Sequence, residues 1–74
     1  MERILKEFGD FIKEKRIAKG YSQAEVARRL NTSQVAYGRY ELGLRDAGLN
    51  MILKIAEVLD FQPGEFFNRY VETK

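Results

Sequence analysis

Cysteine, histidine and tryptophan are all absent from this 74-residue chain. Without cysteine or histidine there is no disulfide framework, no thiolate or imidazole zinc site and no Cys–His catalytic pair. The lack of cysteine also agrees with residence in the reducing cytoplasm. Proline occurs once, at Pro63. No apolar run exceeds three residues, as in Met51-Ile52-Leu53, whereas a membrane span needs about 20. The N-terminus lacks the charged, apolar and small-residue blocks of a signal peptide. A chain this short buries only about 60–65 % of the surface that its unfolded form exposes, so one marginally stable domain over residues 1–74 is expected.

Neither sign of charge dominates: 13 Lys+Arg stand against 11 Asp+Glu, for a net charge of +2. The distribution is uneven. Residues 1–37 hold eight Lys/Arg and five Asp/Glu, net +3, and residues 38–74 hold five and six, net −1. Charge alone reads as ordinary solvated surface.

What is present is helical patterning, with few β-branched runs and no alternating segment. The first helix is expected from about Arg3 to Ala18, with Ile4, Leu5, Phe8, Phe11, Ile12 and Ile17 as one apolar stripe. Gly9 weakens its interior and suits a close approach by another helix. Gly20 ends it in the left-handed conformation. Ser22-Gln23-Ala24-Glu25 forms a capping box opening a short helix over about 23–30, with Val26, Ala27 and Leu30 inward. Asn31 then turns the chain, since asparagine tolerates positive φ. Ser33 caps a third helix over about 34–42, closed by Gly43. A fourth runs over about 49–59. Its stripes Leu49, Ile52, Leu53, Ala56, Leu59 and Met51, Ile55, Val58 predict burial on most sides. Pro63 suits the first position of a last helix, which carries Phe66 and Tyr70 on one face and Phe67 and Val71 on another.

Residues 22–43 are the informative stretch: a capped short helix, a tight turn and a second capped short helix. So short a connection forces the two helices to cross steeply. At about 100° per residue, Ala36, Tyr37 and Tyr40 of the second helix fall on one side, and Gln34, Val35, Gly38, Arg39 and Leu42 on the other. The first set reads as inward. The outer set matches what base edges in a major groove require: glutamine for adenine, arginine for guanine, and an aliphatic group for the thymine methyl. Gly38 suits either a base edge coming close or packing against the preceding helix. Ser22, Gln23 and Ser33, at helix N-termini, suit phosphate. Lys13, Lys15, Lys19, Arg28 and Arg29 read as solvated, the last two adding to the long-range field.

The chain resembles the Xre/Cro/phage-repressor family of helix-turn-helix regulators over about residues 8–67. The resemblance rests on Arg16, Gly20-Tyr21-Ser22-Gln23-Ala24-Glu25-Val26-Ala27, Asn31-Thr32-Ser33-Gln34, Tyr40-Glu41-Leu42-Gly43 and Leu53-Lys54-Ile55-Ala56-Glu57-Val58-Leu59. It implies an all-α, compact five-helix bundle of the lambda-repressor-like DNA-binding type, with helices 2 and 3 forming the helix-turn-helix. It further implies that Gln34, Val35, Gly38 and Arg39 face bases. Gln23 would contact phosphate and brace Gln34, Arg45 would join Ser22, Gln23 and Ser33 as a phosphate contact, and Arg16 would pair with Glu41. Three residues depart from the family pattern. Tyr37 replaces a small aliphatic, which implies either a recognition helix seated differently or a hydroxyl that reaches solvent or phosphate. Asn31 replaces the turn glycine. Leu42 and Asp46 stand where polar or basic residues often face phosphate.

The function expected is a sequence-specific, double-stranded-DNA-binding transcriptional regulator. It would be a cytoplasmic homodimeric repressor or operon controller on an inverted-repeat operator, with the last helix, Met51, Ile55 and the Ile4-Leu5 turn as the dimer face. The alternative is an antitoxin or adaptor whose main partner is another protein. No cofactor, metal or membrane is implied. An enzyme is the poorest reading, because the carboxylates are scattered among lysines and no Gly-rich phosphate loop is present.

Overall fold

The computed structural model describes residues 2–72, and among them five helices and no strand: α1 (Glu2–Lys19), α2 (Gln23–Arg29), α3 (Gln34–Glu41), α4 (Leu49–Leu59) and α5 (Pro63–Glu72). The boundaries follow local chemistry. Gly20 (φ 77°) and Gly43 (φ 73°) take the left-handed conformation after α1 and α3. Asn31 does the same at φ 59° after α2, and its neighbour's amide, Thr32 N, donates to the Ala27 carbonyl. The Ser22 and Ser33 hydroxyls accept from the Glu25 and Ala36 amides, each 3.0 Å away. Such caps are worth about 1 kcal/mol each. Only half of the expected capping box forms. The Glu25 carboxylate turns instead to Arg28 and Arg29, 2.6 Å from each. Two guanidinium groups one turn ahead outcompete a single backbone amide.

The core joins Phe8, Phe11 and Ile12 of α1 to Val26, Ala27 and Leu30, to Tyr37 and Tyr40 of α3, to Ile55, Ala56 and Leu59 of α4, and to Phe61 and Phe66. Phe66 holds α5 against α1 through edge contacts with Phe8 (5.2 Å between centroids) and a tilted contact with Phe11 (5.4 Å). Each fully buried side chain of this size contributes roughly 1.5–3 kcal/mol. Gly9 is where α1 meets the end of α3. A Cβ there would lie 2.3 Å from the Glu41 carbonyl oxygen, so the close approach expected of this glycine is real.

Four expectations are corrected. Ile17 is exposed: the inward side of α1 runs through Phe8, Phe11, Ile12 and the nearly enclosed Arg16, and Ile17 lies about 140° round the helix from Ile12. Leu49 and Leu53 are exposed as well, at 75 % and 51 %, so α4 is not covered on most sides. Its buried face is Ile55, Ala56 and Leu59, and Ile55, fully enclosed, is unavailable to any dimer face. Tyr37 is also fully enclosed, and its hydroxyl reaches neither solvent nor a surface where phosphate could lie. The division of α5 holds, with Phe66 buried, Tyr70 packed against the core, and Phe67 and Val71 exposed.

Candidate nucleic-acid interface

α2 and α3 form a helix-turn-helix whose second helix has one buried and one open face. Tyr37, Tyr40 and Glu41 are buried. Gln34, Val35, Arg39 and Leu42 are exposed, and Gly38 is half-exposed between them. The division inferred at about 100° per residue is the one observed. Gln34, Val35, Gly38 and Arg39 line one shallow concavity together with Gln23, Leu42 and Leu44. Ser22 and Ser33 stand at the starts of α2 and α3, each accepting with its oxygen while its own O–H remains free to donate. Arg45 lies apart from this face, on the loop after α3, with its guanidinium 5.8 Å from the centre of the Tyr40 ring. The exposed Leu44 escaped sequence reasoning, because loop positions carry no periodicity from which to assign a side.

Below the open face lies a polar network. Arg16 Nε and Nη2 donate to the two oxygens of Glu41 at 2.6 and 3.2 Å, and Arg16 Nη1 donates to the Tyr21 carbonyl at 2.9 Å. Gln23 Nε2 donates to Glu41 Oε1 at 3.0 Å. The hydrogen bond of Gln23 therefore runs inward to Glu41, a partner 18 positions away that the resemblance did not indicate. Burial alone would raise the Glu41 carboxyl, but the bonds from Arg16 and Gln23 and the guanidinium charge outweigh it and hold the group below the usual carboxylate range. The Tyr37 hydroxyl sits beside this pair, close enough to feel both charges, yet makes no hydrogen bond of good geometry. Burial first, and then Glu41, push it well above the usual phenol range.

The cations fall into two groups. Arg28 and Arg29 are held by Glu25, Lys15 by Glu65, and Arg69 by Glu14. Glu25, bonded by both arginines, is drawn down to about 2. Arg39 and Arg45, like Lys13 and Lys54, have no carboxylate partner among the described residues. An arginine left without a counter-charge beside an exposed glutamine and valine suits recognition of guanine and thymine edges in a groove.

Comparisons with known proteins agree with this geometry. A family model described as "Helix-turn-helix" matches residues 12–66. The SPbeta prophage-derived uncharacterized HTH-type transcriptional regulator YonR of Bacillus subtilis (strain 168) is 36 % identical over 52 residues, which cover 70 % of this chain and 48 % of that protein. The match thus spans about half of that relative's length. The crystal structure of the restriction-modification controller protein C.AhdI from Aeromonas hydrophila superposes with a TM-score of 0.81 at 37 % identity, covering 88 % of this chain and 94 % of that one.

Proposed function

The chain belongs to the helix-turn-helix family of DNA-binding transcriptional regulators, of the Xre/Cro type, and on that premise we propose that it reads double-stranded DNA sequence-specifically by laying α3 in the major groove. The observation that carries this reading is the open face of α3, where Gln34, Val35 and an unpaired Arg39 share one concavity. Gln34 and Arg39 take base edges bidentately, Val35 packs on a thymine methyl, and Gly38 lets the groove wall come close. Ser22 and Ser33 at the starts of α2 and α3, an amide hydrogen of Gln23, and Arg45 on the loop after α3 take phosphate oxygens, which fixes register.

The protein acts as a homodimer on an inverted-repeat operator, in the cytoplasm, as a repressor or operon controller. Support comes from two exposed apolar pairs, each one helical turn apart: Leu49 with Leu53 on α4, and Phe67 with Val71 on the neighbouring α5. Beside Phe67 lies an apolar cleft of about 290 Å³ lined by Ile4, Leu5, Phe8, Ile52 and Phe66. An exposed apolar surface of this kind on a small domain marks an interface, and two-fold pairing places two α3 helices about 34 Å apart, one turn of DNA.

The test is selection of bound duplexes from a random pool, repeated with Gln34 and Arg39 both changed to alanine. The parent chain is expected to enrich an inverted repeat. The double variant is expected to keep its helical circular dichroism and lose about 1–3 kcal/mol of discrimination for each lost bidentate pair. Target preference that survives the double change would show that α3 is not the reading element. Absence of any enriched sequence, together with a tight complex with another protein, would favour the antitoxin or adaptor role.

A further inference from the structure

The orientation of one amide extends the reading face beyond α3. Glu41, bonded to Arg16 through both oxygens, is ionised and can only accept hydrogen bonds. Gln23 must therefore turn its NH2 end toward Glu41, as the 3.0 Å contact shows. This choice between oxygen and nitrogen follows from the chemistry of the partner. The carbonyl oxygen is thereby left off the Glu41 contact, and the amide end faces Gly38: a Cβ there would have Gln23 Oε1 at 3.7 Å and Nε2 at 4.0 Å. Gln23 and Gly38 both line the concavity that holds Gln34, Val35 and Arg39. Gln23 Oε1 accepts no hydrogen bond among the described residues.

We propose, resting on the α3 reading above, that Gln23 is itself a specificity-determining residue: its carbonyl, fixed by Glu41 and uncovered by Gly38, accepts from an exocyclic amino group in the major groove. An amide oxygen cannot bond a phosphate oxygen, since both are acceptors. Among base edges in the major groove, donors are the adenine N6 and cytosine N4 amino groups. The second hydrogen on Gln23 Nε2 remains for a phosphate, so a contact to the backbone and one to a base coexist in a single side chain. Gly38 then has a specific role, because a side chain there would screen the carbonyl from the groove.

The experiment uses the duplex enriched by selection and removes one amino group at a time. Purine replaces adenine in one set of probes, and pyrimidin-2-one replaces cytosine in the other. Besides the adenine that Gln34 reads, the parent chain is expected to lose roughly three- to tenfold in affinity at one further position, the worth of one hydrogen bond. The set that holds the loss removed by Gln23→Met tells adenine from cytosine. Gln23→Met, which keeps length and removes the acceptor, is expected to bind amino-bearing and amino-lacking probes equally at that position, with affinity elsewhere unchanged in pattern. Should Gln23→Met not fold, Gly38→Ala makes the same comparison, since its Cβ meets only a flexible side chain. A loss in Gln23→Met equal to the parent's at every position would overturn the proposal while leaving α3 as the reader. Selection that enriches no sequence at all would remove the α3 reading, and this inference with it.

Discussion

At Glu41 and Arg16 two charges are taken out of water, with side-chain exposures of 2 % and 13 %. Changing Arg16 to methionine leaves the carboxylate enclosed and unpaired. The expected cost is about 3–5 kcal/mol, read as the shift in urea-unfolding free energy at pH 7. The pH dependence gives a sharper test. In the parent chain the folded Glu41 lies below its ordinary value. Its contribution is therefore complete above the ordinary carboxylate range and is lost as pH falls through the depressed folded value. In Arg16→Met burial dominates and raises that carboxyl, so the sign reverses. Lowering the pH from 7 to 5 should stabilise the variant and not the parent, and parallel pH profiles would show that the pair is not coupled in this way. Tyr37 makes a different case. Its hydroxyl is enclosed without a good hydrogen bond, so Tyr37→Phe is expected to leave stability unchanged or raise it by about 1 kcal/mol. A loss of more than that would reveal a bond to Glu41 or Arg16 that forms in solution. The identity of Arg16 and Glu41 as partners was legible in the sequence through the family resemblance. The enclosure of Tyr37 beside them was legible only as the inward side of α3, since an angle on a helix names a side and not what lies beyond the hydroxyl.

At the scale of the helices, two glycines that look alike in the sequence separate by what faces them. Gly9 and Gly38 both lie inside helices, where alanine is intrinsically better by up to about 1 kcal/mol. A Cβ at Gly38 meets a flexible glutamine at 3.7 Å, so Gly38→Ala is expected to raise the melting temperature slightly. A Cβ at Gly9 would sit 2.3 and 2.6 Å from the Glu41 and Tyr40 carbonyl oxygens. Backbone must move there, and Gly9→Ala is expected to lose about 1–3 kcal/mol despite its helix preference. Equal effects at the two sites would mean that α1 and α3 pack less closely than the structure has them. The caps and turns at Gly20, Ser22, Asn31, Ser33 and Gly43 were readable because each depends on atoms a few residues away. The reach of Glu25 was not, because the capping amide and the arginines at 28 and 29 compete for it at similar range, and only side-chain geometry decides.

For the molecule as a whole, the exposed pairs on α4 and α5 predict concentration-dependent association. Leu53→Glu together with Phe67→Glu is expected to give a monomeric mass by sedimentation at tens of micromolar, with the helical spectrum retained. A parent chain that is already monomeric under those conditions would count against the dimer. The charge arrangement makes a second prediction. Each neutralised phosphate contributes about −0.9 to the slope of log K against log salt, while the arginines of α2 are held by Glu25. A shallow salt dependence is therefore expected, steeper in Glu25→Gln, where Arg28 and Arg29 are released.

By itself the sequence determined the helix order, the sites of the turns and which side of α3 remains open, because periodicity, caps and positive-φ residues act within one or two turns of chain. Only the tertiary structure decided that Leu49 and Leu53 stay uncovered, that Ile55 and Tyr37 are sealed, and that the Gln23 amide is held between Glu41 and Gly38. The last of these depends on partners brought from distant positions: Arg16 on α1 holds Glu41, Glu41 in turn fixes Gln23, and the three stand on three different helices.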